Sequence, residues 1–191
     1  MDRLRRALAT RRRRWAAVLL VLVVVAGAGV GAVRASSSED DPPALRSGSG
    51  GGLATTADVP FASFLLGDLC SRTDRSVEVV QVEAVRARGD AVITDFSIHP
   101  FGVGPTGLEH KRLRDVPDYR GSRTVTTLCS DEQLGQSTLS VEVHRPGAED
   151  AVVNGLRLWY RDGDGLRSVD DPDVDVAICG ATPDADTSCL G

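Results

Sequence analysis

Apolar and polar residues alternate through most of the second half of the chain. In residues 138–145, Leu139, Val141 and Val143 fall on one side. Ser140, Glu142 and His144 fall on the other, the pattern of a half-buried strand. Pro146-Gly147 ends that run. Residues 152–161 follow, with Leu156, Leu158 and Tyr160 on the inner side and Arg157, Trp159 and Arg161 on the outer. Asp162-Gly163-Asp164-Gly165 is a hairpin signal, after which 166–169 resumes. Asp171-Pro172-Asp173 predicts an interruption, because proline cannot donate to a ladder. In the last run Val174, Val176 and Ile178 alternate with Asp175 and Ala177.

Upstream the same reading predicts a first strand over 61–66, ended by a turn at Gly67-Asp68. Another is predicted over 77–85, turned by Arg88-Gly89-Asp90. In 91–98, Val92, Thr94, Phe96 and Ile98 form one face, and Asp95 and Ser97 the other. Glycine and proline break the pattern from Pro100 to Gly107, residues 108–120 show no period, and 123–129 reads as a Thr/Val strand. Seven or eight strands with no helical period among them predict an all-β domain, an antiparallel β-sandwich of immunoglobulin-like shape.

One stretch departs from all of this. Residues 15–33, from Trp15 to Val33, carry no charge. As a helix they would measure ~28 Å, close to the ~30 Å hydrocarbon core of a bilayer. Seven Arg precede the stretch, and Glu39, Asp40 and Asp41 follow it. The positive-inside rule then predicts a single-pass signal-anchor in the cell membrane, with the N-terminus cytoplasmic and the rest extracytoplasmic. A cleaved signal peptide competes with this reading, since Val33-Arg34-Ala35 resembles a cleavage site. Gly27 and Gly31 form a GxxxG pair that would let two such helices dimerise. The predicted organisation is a cytoplasmic tail (1–14), an anchor (15–33), a flexible Ser/Gly/Pro-rich linker (34–59) and a β-sandwich domain (60–191).

Charge sharpens the picture. The chain carries −5 overall while its first 34 residues are strongly basic, so the predicted outer domain is acidic. That argues against nucleic-acid binding. Cys70, Cys129, Cys179 and Cys189 all follow the anchor, and an even count in an exported domain predicts two disulfides. Cys179 shares the outward parity of Ala177 and Asp175, which argues against an immunoglobulin-type bridge between the sheets. Cys70–Cys129 and Cys179–Cys189 are the favoured pairs among three connectivities.

Candidate chemistry is sparse. Gly135-Gln136-Ser137-Thr138-Leu139 lacks the last glycine of a nucleophile elbow. Ser140 and His144 lie ~13 Å apart along an extended strand. The remaining histidines, His99 and His110, are unclustered, so a hydrolase would need residues converging from separate strands. Asp162 and Asp164 begin a pattern like a calcium loop, but Leu166 stands where a third oxygen ligand belongs. A weak Ca2+ site competes there with an ordinary acidic hairpin. Trp159, outward between Arg157 and Arg161, is the candidate contact patch for another envelope protein, either stacked on its arginines or covered by residues 108–120.

The segments GDLC (67–70), ITDFSIHP (93–100), LRLWYRDGDG (156–165) and VAIC (176–179) resemble a group of single-pass exported β-domain proteins of high-GC Gram-positive bacteria. That resemblance implies a cell-surface location and a small β domain, and nothing catalytic. The expectation is a non-catalytic interaction or assembly module. A cation-binding domain and a hydrolase are the alternatives.

Overall fold

The alternating runs fold into two sheets in a computed structural model of the chain. It describes residues 42–48, 51–56, 58–100, 107–117, 119, 121–131, 136–163, 165–180 and 189–190. All of them belong to one unit, Ser36–Gly191. The strands in chain order are β1 (Leu45–Gly48), β2 (Gly51–Thr56), β3 (Phe61–Ser71), β4 (Val77–Arg88), β5 (Val92–His99), β6 (Leu108–Glu109), β7 (Thr124–Val125), β8 (Ser137–His144), β9 (Ala151–Asp162) and β10 (Gly165–Cys179). The first sheet has the order β1-β3-β8-β5, with β6 also on β3; the second runs β2-β10-β9-β4-β7. β2 and β10 pair in parallel, and the other strand pairs are antiparallel.

Phe64, Ile98 and Val141 from the first sheet join Val79, Leu158, Tyr160 and Val176 from the second in one buried cluster. Each fully buried side chain of this kind contributes about 1.5–3 kcal/mol. The fold is therefore an all-β sandwich, as the period-2 pattern predicts. The only helical element among the described residues is a single 3-10 turn, Leu113–Asp115. No helix among them is long and apolar enough to cross a membrane. The expected anchor at 15–33, with Gly27 and Gly31, lies outside the described residues.

The linker expectation needs correcting. Residues 45–48 and 51–56, placed in a tether by their composition, are β1 and β2. Ala44 and Leu45 belong to the core cluster, Leu45 being wholly buried. β2 contributes mostly backbone: its glycines line up with Val174 and Asp175, and its end with Cys179. A strand held by its main chain and one buried Thr55 shows no apolar period, so composition alone read it as a tether.

Several boundaries also move. Gly67-Asp68 is no turn: β3 continues to Ser71 with a register shift between Leu66 and Asp68, an extra residue absorbed as a bulge. Asp171-Pro172-Asp173 does not end a strand either; β10 runs on, and the proline sits where its register against β9 shifts between Asp171 and Asp175. A bulge between Ile93 and Asp95 rotates the start of β5, so Val92 is exposed rather than sharing the core side of Phe96 and Ile98. The expected strand over 123–129 reduces to β7 and an isolated bridge from Leu128 to Ser71. The turn after β4 is as expected. Gly89 has φ 64° and a Cβ there would stand 1.8 Å from the Asp150 carbonyl oxygen, so only glycine fits.

Both favoured disulfides are formed, Cys70–Cys129 and Cys179–Cys189. The first ties β3 to the segment after β7. The second lies outside the sheet, where Cys179 packs with Val152, Ala177 and Leu190, the outward side that its parity predicts.

Candidate functional site

On the outer side of the β10-β9-β4 ladder, Cys189 and Leu190 cover the end that holds Val152 and Ala177, and the stretch around Trp159 is open among the described residues. β9 is central, so its outward residues are flanked on both sides. Arg157 lies between Glu83 of β4 and Asp170 of β10, Trp159 between Gln81 and Ser168, and Arg161 between Glu78 and Leu166. The expected patch Arg157, Trp159, Arg161 is thus brought together on one face. Its internal chemistry differs from stacking. The Trp159 indole N–H donates to Glu83 Oε1 at 2.9 Å, and Gln81 Nε2 donates to Glu83 Oε2 at 3.2 Å. Arg157 donates twice to Asp170, at 2.7 and 2.8 Å. Arg161 lies 3.4 Å from Glu78.

These pairs explain the electrostatics. The two hydrogen bonds from Arg157 hold the Asp170 carboxyl below its ordinary range, against a smaller opposing effect of burial. The same contact, with the charge of Asp170, raises the Arg157 guanidinium. Arg157 and Trp159 are half-buried, and Arg161 is exposed. Residues 107–117 do not cover Trp159; they pack on the other sheet. Neither Glu83 nor Asp170 stands out in the sequence as a partner of the patch, because the pairing of β9 with β4 and β10 is not written in any one strand.

The acidic positions are largely occupied by neighbours. Asp162 lies 3.5 Å from Arg167, Asn154 donates to Asp175 at 2.9 Å, and buried Asp171 accepts from the Ser47 hydroxyl. Asp164 lies outside the described residues. Among the described residues no group of three or more His, Cys, Asp or Glu is placed to hold a metal ion.

The first sheet has a different outer side. Ser63, Ser97, Ser140 and Glu142 are buried there under 107–117. Glu142 accepts from Thr94 Oγ1 at 2.5 Å and from the Leu113 N–H at 2.7 Å; Ser63 donates to the Lys111 carbonyl at 2.9 Å. The Ser97 and Ser140 hydroxyls lie opposite one another in the ladder, and neither has a hydrogen-bond partner among the described residues. His144 stacks on Phe61, and His110 shares a 2.6 Å hydrogen bond with Thr55. Among the described residues neither the Ser97 nor the Ser140 hydroxyl is hydrogen-bonded to a histidine, the geometry an activated nucleophile needs.

A groove of about 380 Å³ opens between β4 and β5, floored by Val79, Val82 and Phe96. Asp95 sits on its wall and accepts from Arg123 Nη2 at 2.6 Å and from the Tyr119 hydroxyl at 3.1 Å. The Arg123 guanidinium lies 3.7 Å over the Phe96 ring. Burial, and then Asp95, push the Tyr119 phenol up. Sequence pattern misses this cluster because Tyr119 lies in the stretch without a period. No known protein family, curated relative or solved structure matches this chain.

Proposed function

We propose that the domain is a non-catalytic interaction or assembly module of the cell envelope, displayed outside the membrane by an anchor at 15–33. The strand order supports an immunoglobulin-like assignment. β1, β3, β8 and β5 correspond to A, B, E and D, and β4, β9 and β10 to C, F and G. β2 then takes the place of a leading strand that crosses to the second sheet. The observation that carries the reading is Trp159. It is half-buried on an open sheet face, with its N–H fixed by Glu83 and an ion pair on either side. A rigid aromatic in such a frame gives contact area at little cost in side-chain freedom, which is why Trp dominates interface hot spots.

The test is a photo-crosslinking residue placed at Ser168, beside Trp159, in intact cells. The expected outcome is one dominant captured envelope protein, lost when Trp159→Ala is added while both disulfides still form. Capture indifferent to Trp159→Ala, or no capture, would refute the reading. Protease added to whole cells should also digest the domain; protection would refute its outward display.

A further inference from the structure

We propose that the unpaired edge of β4 is a self-association surface, where a second copy of this chain adds its own β4 antiparallel across a two-fold axis. This extends the interaction-module reading to another surface, and its first variant, Arg86→Glu, leaves the Trp159–Glu83 hydrogen bond in place. β7 covers only the start of the edge. Val77 and Glu78 pair with Val125 and Thr124, and the Val79 N–H donates to the Arg123 carbonyl at 2.9 Å. From Gln81 to Arg88, β4 pairs with β9 on one side and with no described strand on the other. A bare edge of that length is a template for another strand.

Two further observations bear on what covers it. Four large hydrophobic side chains are exposed among the described residues; Val80 and Val85 lie on β4 and Val92 opens β5, leaving only Leu53 elsewhere. The edge also has a charge polarity along its length, with Glu83 ahead of Arg86 and Arg88. A two-fold that sets Ala84 opposite Val85 of the second copy sets Glu83 opposite its Arg86, and by symmetry Arg86 opposite its Glu83. Both residues lie on the open side. Glu83 is beside Arg157, and Arg86 is beside Asn154, which bonds the outward Asp175. The Glu83 carboxylate retains acceptor capacity beyond the Trp159 and Gln81 bonds. Antiparallel self-pairing therefore satisfies both signs at once, and the interface is isologous and closed.

The experiment is sedimentation of the full chain in detergent micelles over roughly 1–100 µM, a range that spans weak self-association. Gly27→Leu and Gly31→Leu are built into every variant to exclude association through that segment. The expected result is a reversible dimer, with amide exchange over 81–88 slowing as concentration rises. Arg86→Glu turns both cross-strand pairs into like-charge pairs and weakens the dimer by about tenfold or more. Adding Glu83→Arg to Arg86→Glu restores opposite signs and recovers most of the loss. Arg86 is exposed, so the variant is expected to melt like the parent. A monomer at every concentration would overturn the proposal and leave the edge to a strand of another protein. A dimer indifferent to Arg86→Glu, or a loss that the double variant does not repair, would overturn it too.

Discussion

The two sheets present opposite answers to the same sequence pattern. β8 and β9 both alternate apolar with polar residues, and in both the apolar set faces the shared core. The polar set of β8 is buried: Ser140 and Glu142 lie under 107–117, which Glu142 itself holds through the Leu113 N–H. The polar set of β9 stays at the surface, where Arg157 and Arg161 are paired with Asp170 and Glu78. Alternation thus reports which side faces the core. It does not report whether the other side meets water or another layer of chain. A buried acid must find donors or be neutralised, whereas an exposed one exchanges them with solvent. The covered face should consequently be dominated by stability and the open one by recognition.

Breaking the staples tests this contrast most strongly. Cys70–Cys129 fastens the covered sheet to the segment after β7, and closes the longer loop, 59 residues in separation. Replacing both of its cysteines with serine is expected to cost about 4 kcal/mol, against about 3 kcal/mol for Cys179–Cys189. Chemical denaturation curves decide it. An equal or reversed order would mean that the tail cysteine does more than close a short loop. At the level of single side chains, Glu142→Ala strands the buried Leu113 N–H beneath the cover and releases the exposed Thr94 hydroxyl to solvent, and should cost about 2 kcal/mol. Glu83→Ala, the matching change on the open face, should cost no more than ~1 kcal/mol. Comparable losses from the two would erase the distinction drawn between the faces.

Much of the scaffold was legible and some of it was not, for physical reasons. The strong alternations of β8 and β9 predict their own elements, because a strand with one side in the core places an apolar residue at every second position. The parity of Cys179 placed its disulfide outside the sandwich, where it is found with Leu190. β1 is invisible because a single buried Leu45 makes no period, and β2 because a strand that docks mainly through its backbone needs no pattern and Gly51-Gly52 resembles a tether. The bulges at Leu66/Asp68 and Ile93/Asp95 were invisible because one inserted residue shifts the parity without any compositional mark. The Arg157, Trp159, Arg161 patch was found from parity alone. Its acidic partners came only with the strand order, since Glu83 and Asp170 are distant in sequence and adjacent only in the folded ladder.

The Arg157–Asp170 pair gives the smallest effect and the finest test. Arg157 holds the Asp170 carboxyl below its ordinary range, so this contact stabilises the folded chain wherever the carboxyl is ionised. The contribution is complete above the unfolded carboxylate range. It begins to fade near pH ~4 and is lost as the pH falls through the depressed folded value. Both side chains are more than a third exposed, so solvent screening limits the gain to a few tenths of a kcal/mol, roughly 0.3–0.5. A double-mutant cycle with Arg157→Met and Asp170→Asn should return that coupling at pH 7 and less in 0.5 M salt, an approximate ionic strength at which surface pairs are strongly screened. At about pH 3 the coupling should shrink further. A coupling above ~1.5 kcal/mol that salt leaves untouched would mean that this face is shielded from water in solution, as it would be if a partner already lay across it.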